Sequence, residues 1–252
     1  VGAATWVAFT VLFASYYPRE QTGRAIGVIG FINGAAMVAA TASGGAMAQA
    51  WGVQAPFFGA AVLGVAALMT VLPVRDPAPA APPAASWPAF FRVATDPLLL
   101  TVSLMSILVH FAWFAGVFGF IPLYAARIGA SSAALGLITT LALGSGAIAA
   151  LGSGYLVERW GYSAVIRLGA VLMSAALFAV PFVKQVPALE VVQVVNGTGR
   201  GLLTTTLMAL SIRSVAPEER ATAMGVYQAL YSVGMLSGPL ISGFLADGLG
   251  LP

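Results

Sequence analysis

Cysteine is absent from the sequence, histidine occurs once, and only 8% of the residues are charged. Without cysteine there is no disulfide framework, no thiolate metal site and no thiol nucleophile, and a lone histidine excludes a histidine-rich metal cluster. The phosphate-binding pattern G-x-x-x-x-G-K-[ST] and the nucleophile elbow G-x-S-x-G are both missing, so neither an ATP-driven pump nor a serine hydrolase is indicated. The sequence therefore predicts no enzyme, no metal site and no bound cofactor.

The scarcity of charge places the chain in a membrane. Hydrophobic residues make up 60% of the sequence and the mean hydropathy is +0.94, whereas soluble domains carry about 25% charged residues. The eleven Lys and Arg residues are scattered singly rather than clustered on one face, so nucleic acid is not an expected partner. We expect an all-α polytopic membrane protein whose main partner is the lipid bilayer.

Eight apolar stretches have about the length that crosses a bilayer as a helix, apart from a truncated first one. The chain opens inside that first stretch without an initiator Met, which predicts that it is a fragment. A Pro/Ala-rich segment, 75–96, is expected to be a linker between 1–74 and 97–252. The predicted transmembrane helices are 1–16, 24–49, 55–74, 97–124, 132–157, 164–183, 188–213 and 222–247.

The positive charges indicate how these helices are oriented. If the loop before Arg24 is cytoplasmic, every second connection is too, and Arg127 and Lys184 alone lie on the other side. Such an excess predicts the cytoplasmic side by the positive-inside rule, and it makes the linker cytoplasmic. The residues on that side are Arg19, Arg24, Arg75, Arg92, Arg159, Arg167, Arg213 and Arg220.

Residues 1–52 also have a faint copy in residues 200–251. Identical residues recur at a spacing of 198, among them Gly27 with Gly225 and Met37 with Met235. The chain crosses the membrane six times between the copies, so the copies point the same way and the repeat is a parallel one of six helices. A whole protein of twelve helices follows, of which this chain is predicted to hold helices four to eleven.

Three motifs fit this plan. The first is Gly154-Tyr-Leu-Val-Glu158-Arg159-Trp-Gly161, in a predicted cytoplasmic loop, and the second is Gln193-Val-Val-Asn196-Gly197-Thr-Gly199. In the last helix, glycines and one proline follow a pattern of fixed spacings. These residues are Gly225, Gly234, Gly238, Pro239 and Gly243.

With these motifs the chain resembles the major facilitator superfamily, whose loop motif is G-x-L-x-D-R-x-G and whose eleventh helix carries G-x8-G-x3-G-P-x2-G-G. The resemblance implies two six-helix halves that rock about a central site, with Gly154, Glu158, Arg159 and Gly161 in a conformational latch. A solvated loop pair remains the alternative for Glu158 and Arg159. For the glycines of the last helix and Pro239, helix packing is expected.

Departures from the family patterns narrow the function. Helix 24–49 has Ala36, Ala40 and Thr41 where the family's antiporters carry Gly, Gly and Pro. The P-E-S-P-R string of its sugar porters is missing after 55–74. The antiport signature is thus weakened, and a sugar porter is not favoured.

The resemblance implies that helices 1–16, 97–124 and 188–213 line the cavity. Arg200 and His110 each lie about 18–20 Å along their helices, near mid-bilayer. An arginine there costs roughly 2.5–3.5 kcal/mol, which disfavours exposure to lipid. Two polar stripes at helical spacing are therefore expected to face a wet cavity. Their members are Gln193, Asn196, Arg200 and Thr204 on one helix, and Ser103, Ser106, His110 and Trp113 on the other.

Three further residues, Asn33, Tyr227 and Tyr231, are weaker cavity candidates. Every acid lies near a predicted helix end, so the partner of Arg200 is expected to be an anionic substrate or a residue outside this chain. A structural arginine bonded to carbonyls of a neighbouring helix is the alternative. His110 suits proton exchange, because the pKa of histidine is ordinarily about 6.5, and a neutral packing histidine is the alternative.

The leading hypothesis is a secondary active transporter, monomeric in the cytoplasmic membrane, that exports drug-like or amphipathic compounds by proton antiport. Aromatic and Met residues around few polar groups motivate it. A proton-linked importer of an anionic metabolite is the second hypothesis, and a non-transporting sensor or scaffold with the same fold is the third. The wall residues are expected to be Trp6, Trp113, Phe114 and Met208.

Overall fold

The computed structural model describes residues 9–14, 16–18, 21–52, 54–73, 87–213 and 215–249. Within these ranges the protein is helical and contains no strand. Residues 9–14 are helical, and the π-helical turn Gly116–Phe120 joins α4 to α5. The helices are α1 (Thr22–Trp51), α2 (Ala55–Val71), α3 (Trp87–Ala94), α4 (Pro97–Ala115), α5 (Ile121–Arg127), α6 (Ser132–Trp160), α7 (Tyr162–Ala179), α8 (Val186–Ser211) and α9 (Arg220–Leu249).

Five described helical segments have the length and composition to cross a membrane: Thr22–Ala40, Pro97–Arg127, Ala134–Trp160, Tyr162–Phe182 and Pro217–Gly248. The shorter α2 is apolar with 17 residues, and α8 is not among the five, since its polar stripe lowers its hydropathy. Most of the predicted first helix lies outside the described residues. The eight crossings and the six-helix repeat therefore stay predictions, while the all-helical membrane class is confirmed.

The predicted linker contains a helix that the sequence analysis did not anticipate. Its Pro-rich run, 77–83, lies outside the described residues, but α3 forms at 87–94. The exposed rings of Trp87 and Phe91 share one face of α3, and Val93 packs into the core on the other. Arg92 donates a hydrogen bond to the Glu219 carboxylate and forms an ion pair with it. This contact fixes α3 to the start of α9.

Local signals explain where the long helices begin. Asp96 caps α4 by accepting a hydrogen bond from the Leu99 amide at 2.8 Å, with Pro97 at the first helical position. Ser131 caps α6 in the same way, at 3.3 Å from the Ala134 nitrogen. Gly161 joins α6 to α7 at a φ of 80°, a left-handed conformation that glycine adopts without strain. The latch motif's final glycine is therefore required by this tight turn.

Glycines hold α4 and α6–α9 together in one bundle. A Cβ on Gly197 would collide with the Ala142 carbonyl of α6, and one on Gly201 with the Gly146 carbonyl. Gly234 and Gly238 of α9 meet the Ile107 and Phe111 carbonyls of α4 in the same way. Small residues let membrane helices approach closely, so these positions set the bundle's geometry.

The glycines of the predicted packing motif in the last helix fall into two groups. Gly234 and Gly238 lie in close contact with α4, and Pro239 lies inside α9 beside them. Gly225 and Gly243 have no described atom within 4 Å of an added Cβ. For these two glycines close packing therefore stays a prediction.

A separate line of contacts joins α1 to α6, and we call it the seam. It consists of Gly23, Gly27, Gly30 and Gly34 on α1 and of Ala147, Ala150 and Gly154 on α6. A Cβ on Gly27 would lie 2.5 Å from the Ala150 carbonyl oxygen, and one on Gly34 would lie 2.5 Å from the Ala147 Cβ. The spacing of four, three and four residues keeps the α1 glycines on one face, so the helices touch over about 17 Å.

The bundle has two distinct ends. We call the end with the Arg24–Glu158 and Arg92–Glu219 ion pairs the charged end, and the other the far end. At the far end the Tyr124 hydroxyl donates to the carbonyl of Val183 at 2.8 Å. Since the helices alternate in direction, the seam extends from the charged end toward the middle of the bundle. Beyond it, Gly44 of α1 and Gly136 of α6 have no described atom within 4 Å of an added Cβ.

Candidate substrate cavity

A cavity of about 500 Å³ lies among α1, α4, α6, α8 and α9. This volume is in the range of about 300–1,000 Å³ that small-molecule sites occupy. It begins where the seam ends, since Gly30 and Gly34 belong to both. The cavity is thus bounded on one side by α4, α6, α8 and α9 of the bundle, and on the other side by α1. Its polar and aromatic lining includes Asn33, His110, Trp113, Arg200, Thr204, Tyr227 and Tyr231.

Arg200 is the cation of this cavity. Its guanidinium carbon lies 4.2 Å from the centroid of the Trp113 ring, an attraction worth about 2 kcal/mol when desolvated. Its Nε is buried and has no hydrogen-bond partner. No carbonyl of a neighbouring described helix accepts a hydrogen bond from it, so the contacts that would define a structural arginine are missing there.

His110 lies beside it in a fixed orientation. Its ring stacks on that of Tyr231, with centroids 4.2 Å apart and planes inclined by 10°. Its Nδ1 lies 2.8 Å from the Ser106 carbonyl oxygen, and because a carbonyl only accepts, Nδ1 carries the proton. The second ring nitrogen, Nε2, is then the basic one. An imidazole held in this way presents one defined site for taking up a proton.

Tyr227 and Tyr231 complete an aromatic cluster on α9. The Tyr227 hydroxyl and the Ser106 Oγ are 2.6 Å apart, and the Tyr227 and Tyr231 rings meet edge to face at 5.3 Å. Tyr227 is 1% exposed. The cluster therefore joins α4 to α9 and fixes the His110 ring against the cavity.

The two predicted polar stripes lie only partly along the cavity. Arg200, Thr204, His110 and Trp113 line it. Gln193, Asn196, Ser103 and Ser106 are fully buried and are not part of its lining. For these four positions the cavity-facing stripe stays a prediction. On α8, Gly197 beside Asn196 lies close against α6.

Gln193 and Asn196 form a buried amide pair instead. The Asn196 Nδ2 donates to the Gln193 Oε1 at 3.1 Å, while the Gln193 Nε2 and the Asn196 Oδ1 have no described partner. Gln228, also buried, has an unpartnered Nε2. Unpartnered amides of this kind destabilise a core, so α8 carries polar groups that packing alone does not require.

Several methionines in the wall were not predicted. Met37 of α1 and Met235 of α9 both line the cavity, in addition to Met208 and Phe114. Met37 and Met235 are one of the identical pairs of the faint repeat, which was the signal that could have found them. Flexible thioether side chains adapt to ligands of varied shape. Trp6, an expected wall residue, lies outside the described residues.

The latch residues meet across the seam at the charged end. The Arg24 guanidinium donates to the Glu158 carboxylate at 2.6 Å, and a Cβ on Gly154 would lie 2.6 Å from the Arg24 Cα. Arg159 instead contacts Tyr155 of its own helix, at 3.5 Å. Both partners of the ion pair are partly exposed, so it contributes about 0–1 kcal/mol. Glu158 therefore lies at the contact between α1 and α6. The glycines, more than the ion pair, allow the two helices to approach closely.

The sequence matches the family described as the Major Facilitator Superfamily over residues 1–131 and again over 102–252. The chain belongs to this superfamily. The two matches together cover the whole chain, so the resemblance seen in the loop and glycine motifs is confirmed. The expectation of a transporter family rather than an enzyme family is confirmed with it, and the protein is a multi-pass membrane protein.

Three curated relatives are similar to this chain. A multi-drug resistance efflux pump PmrA homolog of Lactococcus lactis is 23% identical over 246 residues, 94% of this chain. Multidrug resistance protein MdtG of Klebsiella pneumoniae is 23% identical over 249 residues, 95% of this chain. An uncharacterized MFS-type transporter, YhjO, of Bacillus subtilis is 30% identical over 91 residues, 36% of this chain and 23% of its own length. The chain spans 60% of the length of the first two.

Proposed function

We propose that this protein is a secondary active transporter that exports drug-like, amphipathic compounds in exchange for protons. The observation that carries the proposal is the cavity at the end of the seam. It combines aromatic and Met walls with one arginine and one oriented histidine. Two relatives of similar coverage are named as multidrug proteins, which favours export of amphipathic compounds over uptake.

The arrangement of α1 and α6 supports alternating access. The two helices touch along the seam near the charged end, whereas at the level of Gly44 and Gly136 no described atom lies within 4 Å of a Cβ added to either glycine. With the charged end assigned to the cytoplasm by the positive-inside rule, this conformation is closed toward the cytoplasm. Opening the seam would expose the cavity to the cytoplasm. We place the protein, as a monomer, in the cytoplasmic membrane.

A vesicle assay tests the proposal. In inverted membrane vesicles that contain the complete gene product, an amphipathic fluorescent dye should accumulate when the interior is acidified and should leave when an ionophore collapses the gradient. Accumulation that is unchanged by the ionophore would exclude proton coupling. No accumulation above vesicles without the protein would favour the sensor or scaffold hypothesis.

Replacing His110 by Gln should uncouple transport. We expect gradient-driven accumulation to fall at least tenfold, while downhill efflux of preloaded dye persists, because Gln fills the site but takes up no proton. The comparison of uphill and downhill rates in the same vesicles measures this. Ser103→Ala is the matched control, since Ser103 is buried on the same helix and does not line the cavity. Equal losses of both rates would instead assign His110 a packing role.

A second candidate function is uptake of an anionic metabolite driven by protons. It is favoured by one observation, the cationic side chain of Arg200, which forms no ion pair with a described residue. The direction of flux in the vesicle assay separates it from export. Right-side-out vesicles that accumulate an organic anion on acidification of the medium would support it.

A further inference from the structure

The charge of the cavity indicates what kind of compound it selects. Arg200 lies in the wall, and no carboxylate among the described residues lines the cavity with it. The described ion pairs use Glu158 and Glu219 at the charged end. Glu190 is on the same helix but about 15 Å along it from Arg200. Within the described part of the chain, the cavity therefore has a positive charge that no side chain neutralises.

The orientation of the guanidinium leaves its hydrogen-bonding edge available. Trp113 lies against its face, with the guanidinium carbon 4.2 Å from the ring centroid, and this contact uses no N–H group. The Nε–H is buried, whereas the two terminal nitrogens are not among the buried atoms without a partner, so the edge that they form is the one open to the cavity. A guanidinium edge binds a carboxylate through two parallel hydrogen bonds, for which its planar geometry is suited. Stacking on Trp113 thus orients the edge before a ligand arrives.

The rest of the wall requires an apolar body on the same ligand. Around Arg200 lie Phe114, Phe118, Met37, Met208 and Met235. A small anion that is buried against these side chains loses its water of hydration. The oxygens that do not contact Arg200 would then have no hydrogen-bond partner. An aromatic ring, by contrast, can pack against phenyl and thioether groups. The cavity has a volume of about 500 Å³ and accommodates such a ring system with its charged group.

We propose that the cavity selects amphipathic monoanions, specifically aromatic carboxylates, whose carboxylate binds the edge of Arg200 while the ring packs between the Phe and Met side chains. This inference rests on the proposed function, since it names the substrate class of the same site. It predicts that the charge of a compound decides its binding more than its size does. Cations of the same shape are rejected, because Arg200 repels them in a site of low polarity.

Three probes of nearly equal shape test the inference: naphthoate, the neutral naphthamide and the cationic naphthylmethylammonium. The complete gene product is purified, and binding is measured by equilibrium dialysis with radiolabelled probes. Naphthoate should bind at least tenfold more tightly than naphthamide, and the cation should show no saturable binding. Equal affinities for the three, or tighter binding of the cation, would overturn the inference.

Substitution of Arg200 provides the second arm. In Arg200→Gln, naphthoate affinity should fall by about tenfold to a hundredfold, because a hydrogen-bonded charge pair is lost, while naphthamide affinity stays within about twofold. Arg200→Lys should retain part of the preference, since the charge remains without the fork geometry. Unchanged naphthoate binding in Arg200→Gln would contradict the proposal. Should Arg200→Gln fail to fold, Arg200→Lys and the probe comparison decide it.

Arg213→Gln is the matched control. Arg213 also lies over an aromatic ring, with its guanidinium carbon 4.9 Å from the Tyr162 centroid, but it is not part of the cavity lining. Its substitution should leave naphthoate binding unchanged, and an equal loss in both variants would show that the effect is not specific to the cavity. Flux is scored separately from binding. Binding that depends on Arg200 without proton-linked flux would retain the site and reject the proposed function.

Discussion

A disulfide between cysteines introduced at Gly23 and Val157 stops transport, and reduction restores it. A Cβ on Gly23 lies 4.0 Å from the Val157 Cγ1 and 3.6 Å from the nearest other atom, the Gly154 Cα. The site therefore admits a cysteine, and the Val157 Cγ1 marks about where the Sγ of a cysteine at position 157 would lie, so the two sulfurs can be brought together without a large backbone movement. Because the cross-link joins α1 to α6 at the charged end, it holds the seam closed and allows no flux. We expect residual transport below about a tenth.

Within this chain the experiment has little background, since its 252 residues contain no cysteine. Cross-linking is followed by gel shift after copper phenanthroline oxidation, and dye efflux is measured before and after adding dithiothreitol. Each single cysteine variant should transport normally under oxidation. Complete cross-linking with undiminished efflux would show that the seam need not open, which contradicts alternating access in this protein.

Replacing Gly197 by Val disrupts the bundle. A Cβ at this position would collide with the Ala142 carbonyl and the Ser145 Oγ, and the Ala142 backbone has no room to move while α6 stays against α8. Overpacking of this kind costs about 1–3 kcal/mol or more. We expect a clear loss of folded protein on heating in detergent, measured as the fraction that elutes as a single peak in size-exclusion chromatography.

Gly144→Val is the control for Gly197→Val. Gly144 lies in the middle of α6, and no described atom is within 4 Å of an added Cβ. Both substitutions place the same β-branched residue in the interior of a helix, so they differ in packing alone. If both variants lose stability equally, close contact between α6 and α8 is not what requires glycine at position 197.

The cross-link and the Gly197→Val substitution both depend on which helix faces are in contact. The positions of the helices could be predicted from the sequence, but their contact faces were harder to predict. Apolar length placed α8 at 188–213 in the sequence analysis, and the structure has it at Val186–Ser211. Faces are harder, because lipid and a packed helix interior are similarly apolar, so hydrophobic periodicity does not distinguish them. The Gly and Ala spacings contain that information, but only when both partner helices are known.

The positions of polar residues in the sequence predicted only part of the cavity lining. Arg200 and His110 were placed in the cavity by their cost in lipid, and both line it. The same reasoning put Gln193 and Asn196 there, yet they are buried outside its lining, because a polar side chain avoids lipid equally well in the interior of the bundle. Helix α3 was missed for another reason. Its eight residues follow a Pro-rich run and contain Pro88, signals that locally indicate a loop.

The distance between α1 and α6 at the far end shows whether the two helices rock about the cavity. Spin labels on cysteines at Gly44 and Gly136, positions with no described atom within 4 Å of an added Cβ, report how far apart the helices are there. Gly27→Leu, which places a side chain where the seam has no room, should shift the population toward the state with an open seam. We expect the measured distance to shorten in the Gly27→Leu background. An unchanged or longer distance would contradict such rocking.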